Sequence, residues 1–210
     1  MKLTRVTCCL FVLLLSLVAF AFTTGVPRAH AASGNTFQFK FHGLSAQADF
    51  DNLSPDGCID TFVFVDGSQN LTGKQTFSSA DVFIGKFNLC KNTPLLEASG
   101  FTLNPDFQID KKLLSASLNT TISVTDFVSG NTFNVSVSMA WTSTSAIAHE
   151  NSTFHFHTKG FTENGHFNAA FRDADASGTV SDGTTNYTPS PSIFAQTMSA
   201  REVDVFITHP

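Results

Sequence analysis

The sequence predicts an all-β domain, an antiparallel sandwich or barrel of roughly eight to ten strands, and three observations carry that expectation. Apolar and polar residues alternate with period two along much of the chain. The runs are filled by Ser, Thr, Asn, Val, Ile and Phe, which suit a pleated surface and weaken any helix. Turn-forming clusters punctuate them. Composition adds two exclusions. Aromatics reach 12% of the 210 residues while charged residues are only 14%, so the chain is too apolar for disorder. Its formal charge of −5 gives no means of neutralising nucleic-acid phosphates, and no nucleic-acid partner is expected.

Residues 1–31 read as a signal peptide. Lys2 and Arg5 supply the positive start, Leu10 to Phe22 the apolar stretch, and Ala29-His30-Ala31 the small-x-small cleavage pattern. Cleavage there leaves 32–210 as a single all-β secreted domain. Lys2, Arg5 and Arg28 depart with the signal, so the mature chain is more acidic still. No later apolar run reaches the roughly 18 residues of a membrane span, so no transmembrane segment is expected after cleavage.

The strands follow in order. Phe37, Phe39 and Phe41 alternate with Gln38, Lys40 and His42. Turn signals stand at Ser54-Pro55-Asp56-Gly57, Asp66-Gly67-Ser68 and Asn104-Pro105-Asp106. Leu114, Ala116, Leu118, Thr120, Ile122 and Val124 share one face of the next long run. After the turn signal Ser129-Gly130-Asn131, Phe133, Val135, Val137, Met139 and Trp141 share another, which places Trp141 in the core. Phe154 and Phe156 alternate with His155 and His157, and residues 159–164 read as a hairpin loop. Asp182-Gly183 marks a turn, Tyr187 falls on an exposed Pro/Ser/Thr-rich connection, and 193–201 is allowed a short helix. Val203, Val205 and Ile207 close the chain. Twenty of the 23 phenylalanines lie beyond the expected signal, enough for an ample Phe-rich core, each fully buried ring contributing about 1.5–3 kcal/mol. Three short echoes, such as Gly34-Asn35-Thr36-Phe37 with Gly130-Asn131-Thr132-Phe133, suggest two pseudo-repeated halves.

Two cysteines remain beyond the signal, Cys58 and Cys90, and an even pair in an exported chain predicts a disulfide. Two patches carry candidate metal chemistry. His155 and His157 lie two apart, so a strand points both to one face. If Thr158 pairs with Gly165, His157 faces His166, and Glu163 becomes a candidate fourth ligand for zinc. The same pattern suits the solvent face of an outer hairpin, where histidine is an ordinary polar choice. Asp173, Asp175, Ser177 and Gly178 match positions 1, 3, 5 and 6 of a calcium loop, but Thr184 stands where the bidentate glutamate belongs. A polar strand ending in a turn explains that segment as well. No cofactor is required by any motif, with Zn or Ca the only candidates.

The segments N-S-T-F-H-F-H (151–157), G-H-F-N (165–168), A-S-G-T-V-S-D-G-T-T-N (176–186) and D-F-Q-I-D-K-K-L (106–113), with Cys58 after P-D-G, resemble uncharacterised exported bacterial β-rich proteins. That resemblance implies bacterial export and no known activity. The leading functional expectation is a secreted, non-enzymatic β protein acting by binding at the cell surface or in the surroundings. The alternatives are a metal-dependent enzyme or metal-binding protein built on His155, His157 and His166, and a barrel carrier of a small apolar ligand.

Overall fold

The computed structural model describes residues 36–71, 76–158, 161–189 and 197–208; the expected signal peptide and its cleavage point lie outside them. Eleven strands are present and, among the described residues, no helix. They are β1 Thr36–Leu53, β2 Ile59–Asn70, β3 Phe77–Asn88, β4 Thr93–Leu103, β5 Asp106–Ile109, β6 Ser115–Asp126, β7 Thr132–Ser143, β8 Ala148–Thr158, β9 Phe161–Ser181, β10 Asn186–Tyr187 and β11 Thr197–Thr208. The stretch allowed a short helix therefore enters a strand at Thr197.

Pairing is antiparallel and runs β9–β11–β1–β2–β3–β4–β6–β7, and β7 pairs with β9 again, so the order returns to its start as a ring of eight. The short strands β5 and β10 add to β6 and β9, and β8 pairs with β9, which brings the count to eleven, above the expected ten. Contacts divide the chain into two compact units. The larger comprises Phe41–Thr153 and His166–Val203; the smaller comprises the segment up to Lys40, Phe154–Gly165 and the segment from Asp204.

In the larger unit, period two decides what is buried. Leu44, Ala46, Ala48 and Phe50 of β1 face the core with Val63 and Val65 of β2 and Ala80, Val82 and Ile84 of β3. Leu118, Ile122, Val124, Val135, Val137, Met139 and Trp141 complete it from β6 and β7. This is not the Phe-rich core expected from composition: among the described phenylalanines only Phe50 and Phe107 are core members. The reason is local. On β2, Phe62 and Phe64 alternate with Val63 and Val65, and the strand can bury only one parity. Large and small residues interdigitate across the interior, as close packing requires. A Cβ on Gly67 would stand 2.6 Å from the Phe107 ring, so the glycine makes room for the aromatic. Trp141, fully buried, donates its indole N–H to the Gln47 carbonyl at 3.0 Å.

The expected bond between Cys58 and Cys90 is present. Cys58 precedes Ile59, Cys90 lies two residues beyond Asn88, and Ile59 pairs with Asn88, so the bridge closes the end of the β2–β3 ladder covalently. Four of the turn signals fall between strands as expected. The fifth does not: Asp66-Gly67-Ser68 lies inside β2, paired on one side with Ala46 and its neighbours and on the other with Ala80 and its neighbours. Hydrogen bonding on both edges overrides the local preference of Asp-Gly for a turn. Tyr187 is also corrected, from exposed loop to a buried core residue.

Candidate functional site

The misread turn is where the most unusual chemistry of the larger unit sits. Gln47, Asp66, Asp81 and Phe101 are successive cross-strand partners on β1 to β4, so their side chains form one row on the face turned away from the core. Asp49 lies two residues along the same face of β1, opposite Phe64, which in turn is opposite Phe83. A parallel row of hydroxyls flanks the acids: Ser45 and Ser199 are hydrogen-bonded at 2.9 Å, as are Ser68 and Ser79. Gln47 donates to Asp49 Oδ2 at 3.4 Å. Asp81 Oδ1 is shielded from solvent without a hydrogen-bond partner.

Electrostatics follow from that crowding. Burial pushes the Asp49 carboxyl up to about 6 against the opposing Gln47 hydrogen bond. Burial also raises Asp66 to about 7, with the Arg201 guanidinium working against the rise and the Asp49 charge adding to it. Asp81 is held well above the ordinary carboxylate range by burial and by the charge of Asp66. Groups shifted this way by desolvation and like charge mark a site worth testing for function.

Asp182 shows the opposite environment. Burial would raise it, but hydrogen bonds from the Thr184 hydroxyl and amide, the Tyr187 hydroxyl and the Thr185 amide outweigh that and bring it down to about 2. Lys86 Nζ stands 3.9 Å from Asp182 Oδ2 and 5.0 Å from the Tyr187 ring centroid. This network ties the β9–β10 turn to β3. It is a structural clasp, built from an ion pair, a cation–π contact and a buried phenol.

The histidine hairpin takes a register different from the expected one. In the smaller unit His155 Nδ1 meets Asn164 Oδ1, and His157 Nδ1 meets the Thr162 hydroxyl at 2.8 Å. The Phe154 ring covers Gly165 and leaves no room there for a Cβ. All three contacts fit one register, in which β9 already begins at Phe161 and residues 161–164, expected as loop, are strand. Thr162 thus occupies the place opposite His157 that the sequence reading gave to His166. Glu163 alternates with Thr162 and Asn164 along β9, so it points to the face opposite His155 and His157 and does not complete their ligand set. Asp173, Asp175 and Ser177 lie along β9, with Asp175 opposite Thr142 and Ser177 opposite Ala140. An extended strand spaces alternate residues in a line instead of curling them around an ion as a calcium loop does. Among the described residues, no group of three or more His, Cys, Asp or Glu is arranged to hold a metal ion.

Comparison with family models, with curated proteins and with solved structures finds no match for this chain.

Proposed function

We propose that this protein is an exported, non-enzymatic β protein of bacterial type that acts by binding at the cell surface or in the surroundings, through the strands of its smaller unit. One observation carries the reading. Among the described residues five phenylalanines are exposed, at 41% for Phe37, 65% for Phe127, 43% for Phe154, 53% for Phe156 and 40% for Phe206. All but Phe127 belong to the short segments of the smaller unit. Clustered exposed aromatics mark interaction surfaces, because single rings scattered on a surface need no explanation whereas a concentration of them does. The strand that bears two of them is also unguarded. Residues 148–157 of β8 are exposed throughout, and among the described residues β8 pairs with β9 alone. A long exposed edge with neither Lys nor Pro is a template for further strand pairing.

The alternatives receive less support. The interior of the larger unit is occupied by Trp141, Phe50, Ile84, Leu118 and Met198, all fully buried, which opposes a carrier with an unfilled Phe-lined cavity. The hairpin register opposes a zinc enzyme built on His155, His157 and His166.

The double substitution Phe154→Ser and Phe156→Ser tests the binding reading. Its expected result is at least about tenfold weaker retention of the purified protein on cells of the exporting organism, in line with aromatic hot spots, with the far-UV circular dichroism spectrum of wild type retained. Retention equal to wild type would refute the proposed surface.

A further inference from the structure

The register of β1, β2 and β3 forces like charges together. Asp66 faces Asp81 directly, and such partners in an antiparallel ladder hold their Cβ atoms about 4.5–5.5 Å apart. Asp49 stands diagonally beside Asp66, on the same face. The same face also carries Asp51 on β1, Asp60 on β2 and Glu97 on β4, each further along the strands. From β11, the Arg201 guanidinium acts on Asp66 and favours its charged form. One guanidinium does not balance the two carboxylates of the facing pair, and Asp81 Oδ1 is left without a hydrogen-bond partner. A proton resolves both problems at once: it removes one charge from the facing pair and supplies the missing O–H donor.

We propose that Asp66 and Asp81, with Asp49 beside them, form a proton-held latch that fastens β1, β2 and β3 in mildly acidic surroundings and releases them as the pH rises past neutrality. The carboxyl acidities support this. Asp49 is raised to about 6, Asp66 to about 7, and Asp81 is held well above its ordinary range, whereas an unfolded chain ionises its aspartates near 3.8. Between these values the folded protein binds more protons than the unfolded one, so its stability falls with rising pH. The contribution is complete below about pH 4 and is lost as pH climbs through 6 to 7 and above. Two facing carboxyls that share a proton titrate as a pair, so the release is one coupled event.

Amide hydrogen exchange at pH 5 and pH 8, corrected for the intrinsic pH dependence of exchange, tests the latch on the unmodified protein. Amides of 63–68 and 79–84 are expected to exchange at least about tenfold faster at pH 8, since each unit of acidity shift is a tenfold change in equilibrium. Amides of β6 and β7 serve as the internal reference and are expected to show no such change. The isosteric substitutions Asp66→Asn and Asp81→Asn should abolish the difference by holding a donor at every pH. Equal corrected protection of β1 to β3 at both pH values overturns the latch, as does a difference that persists in both variants. Should the variants not fold, the comparison of strands within wild type still decides.

Discussion

Replacing Trp141 with alanine is expected to cost about 3–5 kcal/mol, the largest effect of any single core truncation in this chain. The indole is the largest of the fully buried side chains, and its cross-strand partners Ala116 and Ala176 are too small to fill the space it leaves. Its loss also strands a polar group, because the Gln47 carbonyl accepts the indole N–H. Trp141→Phe separates the two contributions. It keeps most of the volume and removes only the donor, so it should cost about 1–3 kcal/mol, the usual penalty for an orphaned buried partner. Urea unfolding at fixed pH measures both. If Trp141→Ala lies within about 1 kcal/mol of wild type, the interior is less tightly filled than the burial pattern requires.

The second large effect is covalent. Converting Cys58 and Cys90 together to serine is expected to lower stability by about 3–4 kcal/mol, from the entropy restored to the unfolded chain across a separation of 32 residues. In a chain of this size that corresponds to a melting temperature lower by about 10 °C. The bridge caps the ladder between Ile59 and Asn88, so fraying should begin at that end of β2 and β3. Melting with and without reductant gives the same comparison without mutation, and coincident curves would show that the bond contributes nothing measurable.

Strand identity was readable from residue parity, and so were the disulfide and the burial of Trp141, because each depends on spacing within one or two segments. What failed depended on partners. Asp66-Gly67-Ser68 carries turn chemistry, and only the ladders on both sides of β2 make it strand. Phenylalanine abundance misled for the same reason: valine holds the buried parity on β2, and the rings fall on the other. The hairpin register differed because His157–His166 and His157–Thr162 both keep polar residues on one face, and parity alone does not choose between them. The carboxylate row was legible in principle. The turn at 54–57 sets β1 against β2 so that Gln47 meets Asp66, but pairing Asp66 with Asp81 needs the β2–β3 register, which no strong turn signal marks.

The ring has a consequence for how the chain is assembled. β1 through β4 pair with sequence neighbours, and β6 with β7, so these contacts form quickly from local encounters. Closure instead needs β11 to reach β1, and the Ser45–Ser199 hydrogen bond joins residues 154 apart. Loop entropy makes such a contact the slow step of folding. A chain still being synthesised holds β1 and β9 with unpaired edges until β11 arrives. Truncation before Thr197 would therefore leave a strip with two open borders, prone to join other strips, while a fusion placed after the last strand would leave closure intact.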